Sequence, residues 1–276
     1  MAFTLKNIIQ RTLTGIVYVA VIVASICVHP FLFMGVFGII TGLLVHEFLT
    51  VTKFEGKTWQ RLLCIADGAY LFVASGLFAG CYVGQEIYMP YIIVLIITLI
   101  GGLYLRDVNV ASQLGKVFFA QAYCAGFLSL LNFIPYKFSG VYDCLPVLMI
   151  FVFIWLNDTG AYLIGSWIGR RRLFERISPR KSWEGFWGGF AVTVTSALVV
   201  SQFHLGLSWI QWIVFAIVTV VAATFGDLLE SLLKRAYGLK DSGKVLPGHG
   251  GMLDRLDSAI LAAPVAYVFF ELVTRN

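Results

Sequence analysis

SLLKRAYGLKDSGKVLPGHGGMLDRLDS, Ser231 to Ser258, is a polar island in a chain that is otherwise overwhelmingly apolar. It gathers Lys234, Arg235, Lys240, Asp241, Lys244, His249, Asp254, Arg255 and Asp257 around five glycines at 238, 243, 248, 250 and 251. Upstream, Trp209 to Phe225 carries no charge; downstream, Leu256 to Val273 holds only Asp257 and Glu271. Apolar runs of this length are what a helix needs to cross a bilayer. The stretch therefore reads as a chemical site at the edge of an apolar slab.

Composition extends that reading to the whole chain. Hydrophobic residues make up 59% of the 276 positions and charged residues 13%, and the mean hydropathy is +0.85. A soluble domain of this size is far more polar. The expected fold is an all-α polytopic membrane protein with about nine transmembrane helices and a polar cavity on the cytoplasmic side. The spans fall at about 12–30, 31–49, 62–83, 88–105, 117–135, 145–168, 186–203, 209–225 and 256–273, the eighth continuing as helix through Arg235. The five cysteines, at 27, 64, 81, 124 and 144, show neither a C-x-x-C pair nor a zinc-ligand spacing and read as small apolar residues. A net charge of +5 spread over membrane-flanking loops argues for no nucleic-acid partner.

Charge placement orients the spans. With the N-terminus cytoplasmic, 18 of the 20 Lys and Arg residues fall in cytoplasmic connections, leaving Lys137 and Arg275 opposite. The C-terminus is then outside, and the cluster from Arg170 to Lys181 shares the cytoplasmic side with the Ser231 to Ser258 stretch. Residues 1–140 read as scaffold and 141–276 as the motif-bearing part of one integrated membrane domain. Gly35, Gly38 and Gly42 suggest close helix approach. His46 and Glu47 are expected to reach headgroups or water, and Asp67 to stay hydrated near an interface. Asn157 and Asp158 sit inside the sixth span, where an ionisable group is costly unless it faces a cavity, a cation or a partner. Small-residue faces permit a homodimer as readily as packing within one bundle.

The polar residues suggest phosphate chemistry. Asp227, Glu230, Ser231 and Lys234 share a face of the eighth helix at 3.6 residues per turn. Asp227, Glu230, Asp254 and Asp257 are hard oxygen donors of the kind Mg²⁺ takes. The Gly248 to Gly251 run can turn backbone N–H groups toward an anion, and Lys240, Lys244 and Arg255 can neutralise phosphate oxygens. The order of residues is not that of a Walker A loop. His249 has three readings: support of the glycine turn, phosphate contact, or general base. Asp241 can pair with Lys240 or Arg255 to shape the loop. A cation-coupled transporter is the competing class, although no internal repeat is visible.

The segment from Ser231 to Asp257 resembles the signature of the phosphatidate cytidylyltransferase (CDP-diacylglycerol synthase) family at Ser231, Lys234, Arg235, Lys240, Asp241, His249, Gly250, Gly251, Asp254, Arg255 and Asp257. Upstream, W-L-N-D-T-G-A-Y at Trp155 to Tyr162, S-P-R-K-S-W-E-G at Ser178 to Gly185 and F-G-D-L-L-E-S at Phe225 to Ser231 extend the resemblance. Ser182 stands where the family commonly has Thr. The resemblance implies a bacterial inner-membrane enzyme of phospholipid biosynthesis that transfers the cytidylyl group of CTP to phosphatidate, giving CDP-diacylglycerol and pyrophosphate with Mg²⁺ as cofactor. It implies catalytic roles for Asp227, Lys234, Lys240, Asp254 and Asp257, with Asp227, Glu230, Asp254 and Asp257 at the metal. Substrate contacts would come from Ser178, Arg180, Lys181, Ser182, Ser231, Arg235, Lys244, His249, Gly250, Gly251 and Arg255, supported by Asn157, Asp158 and Asp241. A related enzyme acting on an isoprenoid-type lipid would use the same carboxylates and stays open at this point.

Overall fold

The computed structural model describes residues 5–106, 108–203, 206–243 and 250–274, with side chains from residue 12 onward. Among them are nine helices: α1 (Leu5–Val28), α2 (Pro30–Val51), α3 (Thr58–Ala79), α4 (Gln85–Tyr104), α5 (Val110–Tyr136), α6 (Leu145–Ile168), α7 (Trp183–Val200), α8 (Trp209–Ala236) and α9 (Leu253–Thr274). Seven of them, α2 to α6, α8 and α9, are long and apolar enough to cross a membrane; α1 and α7 occupy the other two expected spans. The chain is a multi-pass, all-α membrane protein. Satisfying every backbone group within a helix is the solution an apolar solvent imposes.

One element was not anticipated. Between α6 and α7, β1 (Arg172–Phe174) and β2 (Ser178–Ser182) form an antiparallel pair, with Arg172 opposite Ser182 and Phe174 opposite Ser178. This basic hairpin is too short and too charged to show a period-2 hydrophobic pattern.

The helices group into two compact units, Met1–Phe133 with Tyr237–Leu256, and Ile134–Ala236 with Asp257–Asn276. In the first unit, Pro30 opens α2, and the His29 side chain caps it by accepting a hydrogen bond from Phe31 N. The inner face of α2 stacks Phe33 and Phe37 against Phe72 of α3, with ring centroids 5.6 and 5.7 Å apart. Gly38 makes that approach feasible, since a Cβ there would lie 2.9 Å from Val73 Cγ2; Gly35, by contrast, faces open space. Helix α5 is tied to α3 by polar side chains: Gln121 Nε2 donates to Cys64 O (2.7 Å) and Asn132 Nδ2 to Phe72 O (2.9 Å). Such bonds hold helices together where hydrophobicity cannot discriminate helix from lipid.

Two expectations fail in this unit. Asp67 is 3% exposed rather than hydrated, because α3 begins at Thr58 and so places Asp67 in its third turn. Glu47 is 2% exposed and faces inward, while its neighbour His46 is exposed. Adjacent helical positions point about 100° apart, so one of the pair meets solvent and the other the interior.

In the second unit, Phe215 of α8 is the hub of an aromatic core. It lies 5.4 Å from Phe153, 5.9 Å from Trp212 and 4.9 Å from Phe270 between ring centroids. Helices α6 and α7 run close along a small-residue seam, with Gly160 against Gly189 and Gly165 against Gly185. Lys137 and Glu271 form an ion pair. All five cysteines are free thiols.

Candidate active site

The second unit contains a cavity of about 500 Å³ walled by α6, the hairpin and the start of α7. Asn157, Asp158, Arg172, Arg180, Lys181 and Ser182 are among its lining residues. Asn157 is buried, whereas Asp158 is exposed toward the cavity, so the ionisable residue inside the sixth apolar run has the cavity that its cost demanded. The hairpin brings the basic side: Arg172 arrives on β1, Arg180 and Lys181 on β2. Glu184, in the first turn of α7, accepts from Arg170 N (3.1 Å) and Arg171 N (3.2 Å) and secures the hairpin's entry.

Lys181 links this wall to α8 through an ion pair with Asp227. Ser231 Oγ donates to the other Asp227 oxygen at 3.3 Å, and Lys234 Nζ lies 2.6 Å from Glu230 Oε2. Both are i,i+4 pairs, as the shared helix face requires. Glu230 is fully buried and Lys234 nearly so. Asp257 of α9 faces Asp227, Glu230 and Lys181 within electrostatic range. Gly226 permits this: a Cβ there would lie 2.6 Å from Asp257 O, so only glycine lets α8 meet the first turns of α9 at this level. Three carboxylates and two lysines thus occupy one locus.

Other expected residues are placed differently. Ser182 is buried and its hydroxyl accepts from Gly185 N at 3.2 Å, making it the N-cap of α7. Ser178 is half-buried, and Arg235, Lys240, Asp241 and Arg255 are exposed. Lys244 and His249 lie outside the described residues.

Asp254 and the glycine loop belong to the first unit. The Asp254 carboxylate accepts from Ser242 N (3.0 Å) and Gly251 N (2.9 Å). Gly250 has φ +87°, and a Cβ there would stand 2.8 Å from Asp254 Oδ2. That left-handed, crowded position explains one glycine of the run. The residue that sequence reasoning missed is Glu47, which accepts from Met252 N (2.9 Å), Leu253 N (2.7 Å) and Ser242 Oγ (3.1 Å). Its available signal was a carboxylate next to His46 near the end of an otherwise apolar run, between Val45 and Phe48.

Among the described residues, no group of three or more His, Cys, Asp or Glu is arranged to hold a metal ion unaided. The site instead pairs carboxylates with lysines beside a cavity lined on one side by arginines, an arrangement suited to polyanionic substrates whose own oxygens would complete any metal shell.

Comparison with known proteins fits this chemistry. A family model described as the cytidylyltransferase family matches residues 9–273. A phosphatidate cytidylyltransferase from Thermotoga maritima is 44% identical over 161 residues, 56% of this chain and 58% of that protein. One from Bacillus subtilis is 42% identical over 122 residues, 44% of this chain and 45% of that protein. Another, from Haemophilus influenzae, is 28% identical over 285 residues, 96% of this chain and 99% of that protein. The first two alignments span about half the length of the relatives they match.

Proposed function

Since the chain belongs to the cytidylyltransferase family, we propose that it transfers the cytidylyl group of CTP to phosphatidate, forming CDP-diacylglycerol and pyrophosphate. The observation that carries this reading is the locus of Asp227, Glu230, Asp257, Lys181 and Lys234 beside a cavity walled by Arg172 and Arg180. The relatives named above are phosphatidate cytidylyltransferases, which favours an enzyme over a cation-coupled transporter.

In this reaction an oxygen of the lipid phosphate forms a bond to the α-phosphorus of CTP. The bond from that phosphorus to the oxygen bridging the β-phosphate breaks, and pyrophosphate departs. No protein nucleophile is needed. The protein's task is to bring two polyanions together and to hold the charge that shifts between them. Arg172, Arg180 and Lys181 offset the repulsion between lipid phosphate and triphosphate. Lys181 exchanges Asp227 for a substrate oxygen as the substrates enter, and Ser231 keeps the released carboxylate aimed. Lys234 partners Glu230 in its buried position, where an unpaired carboxylate would be strongly disfavoured.

Mg²⁺ suits this donor set, because Asp227 and Asp257 offer hard oxygens, with Glu230 behind them. An ion of this kind commonly takes one or two carboxylates and completes its shell with phosphate oxygens and water. When bound, it would supply neutralisation of the departing pyrophosphate. The lopsided distribution of Lys and Arg supports a cytoplasmic N-terminus and an external C-terminus. Cysteine substituted at Ser178 should then resist impermeant thiol reagents in intact cells and react in inverted vesicles.

The test is an assay on the purified protein in detergent with radiolabelled CTP. Phosphatidate should yield a lipid-soluble cytidine product, and excess EDTA should abolish it. Turnover that survives EDTA would remove the metal from the reading, and turnover with an isoprenyl phosphate but not phosphatidate would change the acceptor.

A further inference from the structure

We propose that Glu47 of α2 is a positioning residue for cytidylyl transfer, fastening both ends of the glycine loop to one buried carboxylate. Ser242 donates its hydroxyl to Glu47 Oε2 at 3.1 Å from one end; Met252 N reaches Oε1 at 2.9 Å and Leu253 N reaches Oε2 at 2.7 Å from the other. Met252 N and Leu253 N belong to the start of α9, where the first N–H groups of a helix have no partner within it. A carboxylate there both satisfies those donors and complements the helix dipole.

Backbone contacts leave little slack. A Cβ at Gly243 would lie 2.6 Å from Glu47 Oε1, and one at Gly251 would lie 2.8 Å from Gly243 N. The loop ends therefore touch each other over the carboxylate, and neither glycine has room for a side chain. Asp254 adds a second tie across the same gap through Ser242 N and Gly251 N. Glu47, 2% exposed and already accepting three hydrogen bonds, is committed to the protein rather than to a ligand. Lys240 lies two residues before Ser242, and Arg255 two residues after Leu253. The proposal rests on the reading of Lys240 and Arg255 as phosphate contacts: with Ser242 and the start of α9 fastened to one carboxylate, these two exposed basic residues are presented to substrate without a further ordering cost.

Two variants in the full-length detergent-purified protein test it, Glu47→Ala and the near-isosteric Glu47→Gln. Hydrogen–deuterium exchange of peptides covering 237–256 reports on the loop irrespective of activity. In Glu47→Ala, exchange should rise across Ser242 and Gly251 to Leu253 while α3 and α8 keep their protection. The KM for CTP should rise more than kcat falls, with kcat/KM lowered about a hundredfold. Glu47→Gln keeps one acceptor oxygen, should recover part of both, and serves if the alanine variant does not accumulate. Unchanged exchange in the loop overturns the proposal, as does loosening without a change in the KM for CTP or an exchange increase spread equally over all helices. If the unaltered protein transfers no cytidylyl group, the reading of function falls by itself, and positioning for that reaction falls with it; the exchange data still decide whether Glu47 fastens the loop.

Discussion

The two units each hold buried and half-buried carboxylates, and the difference lies in what answers them. Glu47 and Asp254 in the first unit are met by backbone N–H groups and one hydroxyl. Asp227, Glu230 and Asp257 in the second lie close together and are met by two lysine ammonium groups, with one hydroxyl on Asp227 and one backbone N–H on Asp257. Backbone N–H groups cannot leave, so a carboxylate saturated by them is fixed and serves to shape the chain. A lysine on a flexible stem can turn to a phosphate, so a carboxylate answered by lysine can be released when a polyanion arrives. The same functional group is thus tied down by backbone in one unit and held by exchangeable lysines in the other.

Substitutions should separate the two behaviours. The largest effect on catalysis is expected from Asp227→Asn, which keeps the shape but removes the charge that Lys181 faces: cytidylyl transfer should fall by about a thousandfold, with thermal unfolding in detergent almost unchanged. Retained activity in this variant would erase the distinction between the units. Glu47→Ala should do the reverse in proportion. Leaving three donors unanswered should cost about 3 kcal/mol of stability, read as a lowered unfolding temperature, alongside its loss in kcat/KM.

A smaller change follows from Gly226→Ala. Forcing a methyl group against the Asp257 carbonyl should destabilise the protein by about 1–3 kcal/mol and reduce activity by displacing Asp257 from Asp227. An unaffected variant would mean that the close approach at Gly226 does not hold the cluster together. Lys137→Met marks the bottom of the scale. The Lys137 and Glu271 pair is partly exposed, with side chains 21% and 28% accessible, so its loss should change stability by less than about 1 kcal/mol and leave activity intact.

Much of the architecture was legible in local sequence. An uncharged run such as Trp209 to Phe225 has one favourable fate in a membrane, and most helices begin and end within a few residues of the expected limits, while α1 and α5 each start seven residues earlier. The face shared by Asp227, Glu230, Ser231 and Lys234 followed from helical periodicity, and the observed pairs Asp227 with Ser231 and Glu230 with Lys234 are its direct outcome. The hairpin was not legible, because strands of three and five residues rich in Arg, Lys and Ser carry no hydrophobic alternation. Ser182 shows the limit for single residues: its place beside Arg180 and Lys181 on the cavity wall suggests a phosphate contact, while its further role as the N-cap of α7 is visible only in its distance to Gly185 N.

From the sequence alone came the helical membrane class, the order of its spans and the kinship of its polar motifs, all set by transfer of side chains into an apolar solvent and by local residue order. Tertiary structure decided which carboxylates would be fasteners. Glu47 meets Leu253 across 206 positions of chain, and no local pattern encodes an acceptor whose donors arrive from so far away. The free energy of a buried charge depends on the partners that surround it, and those partners exist only once the helices have packed.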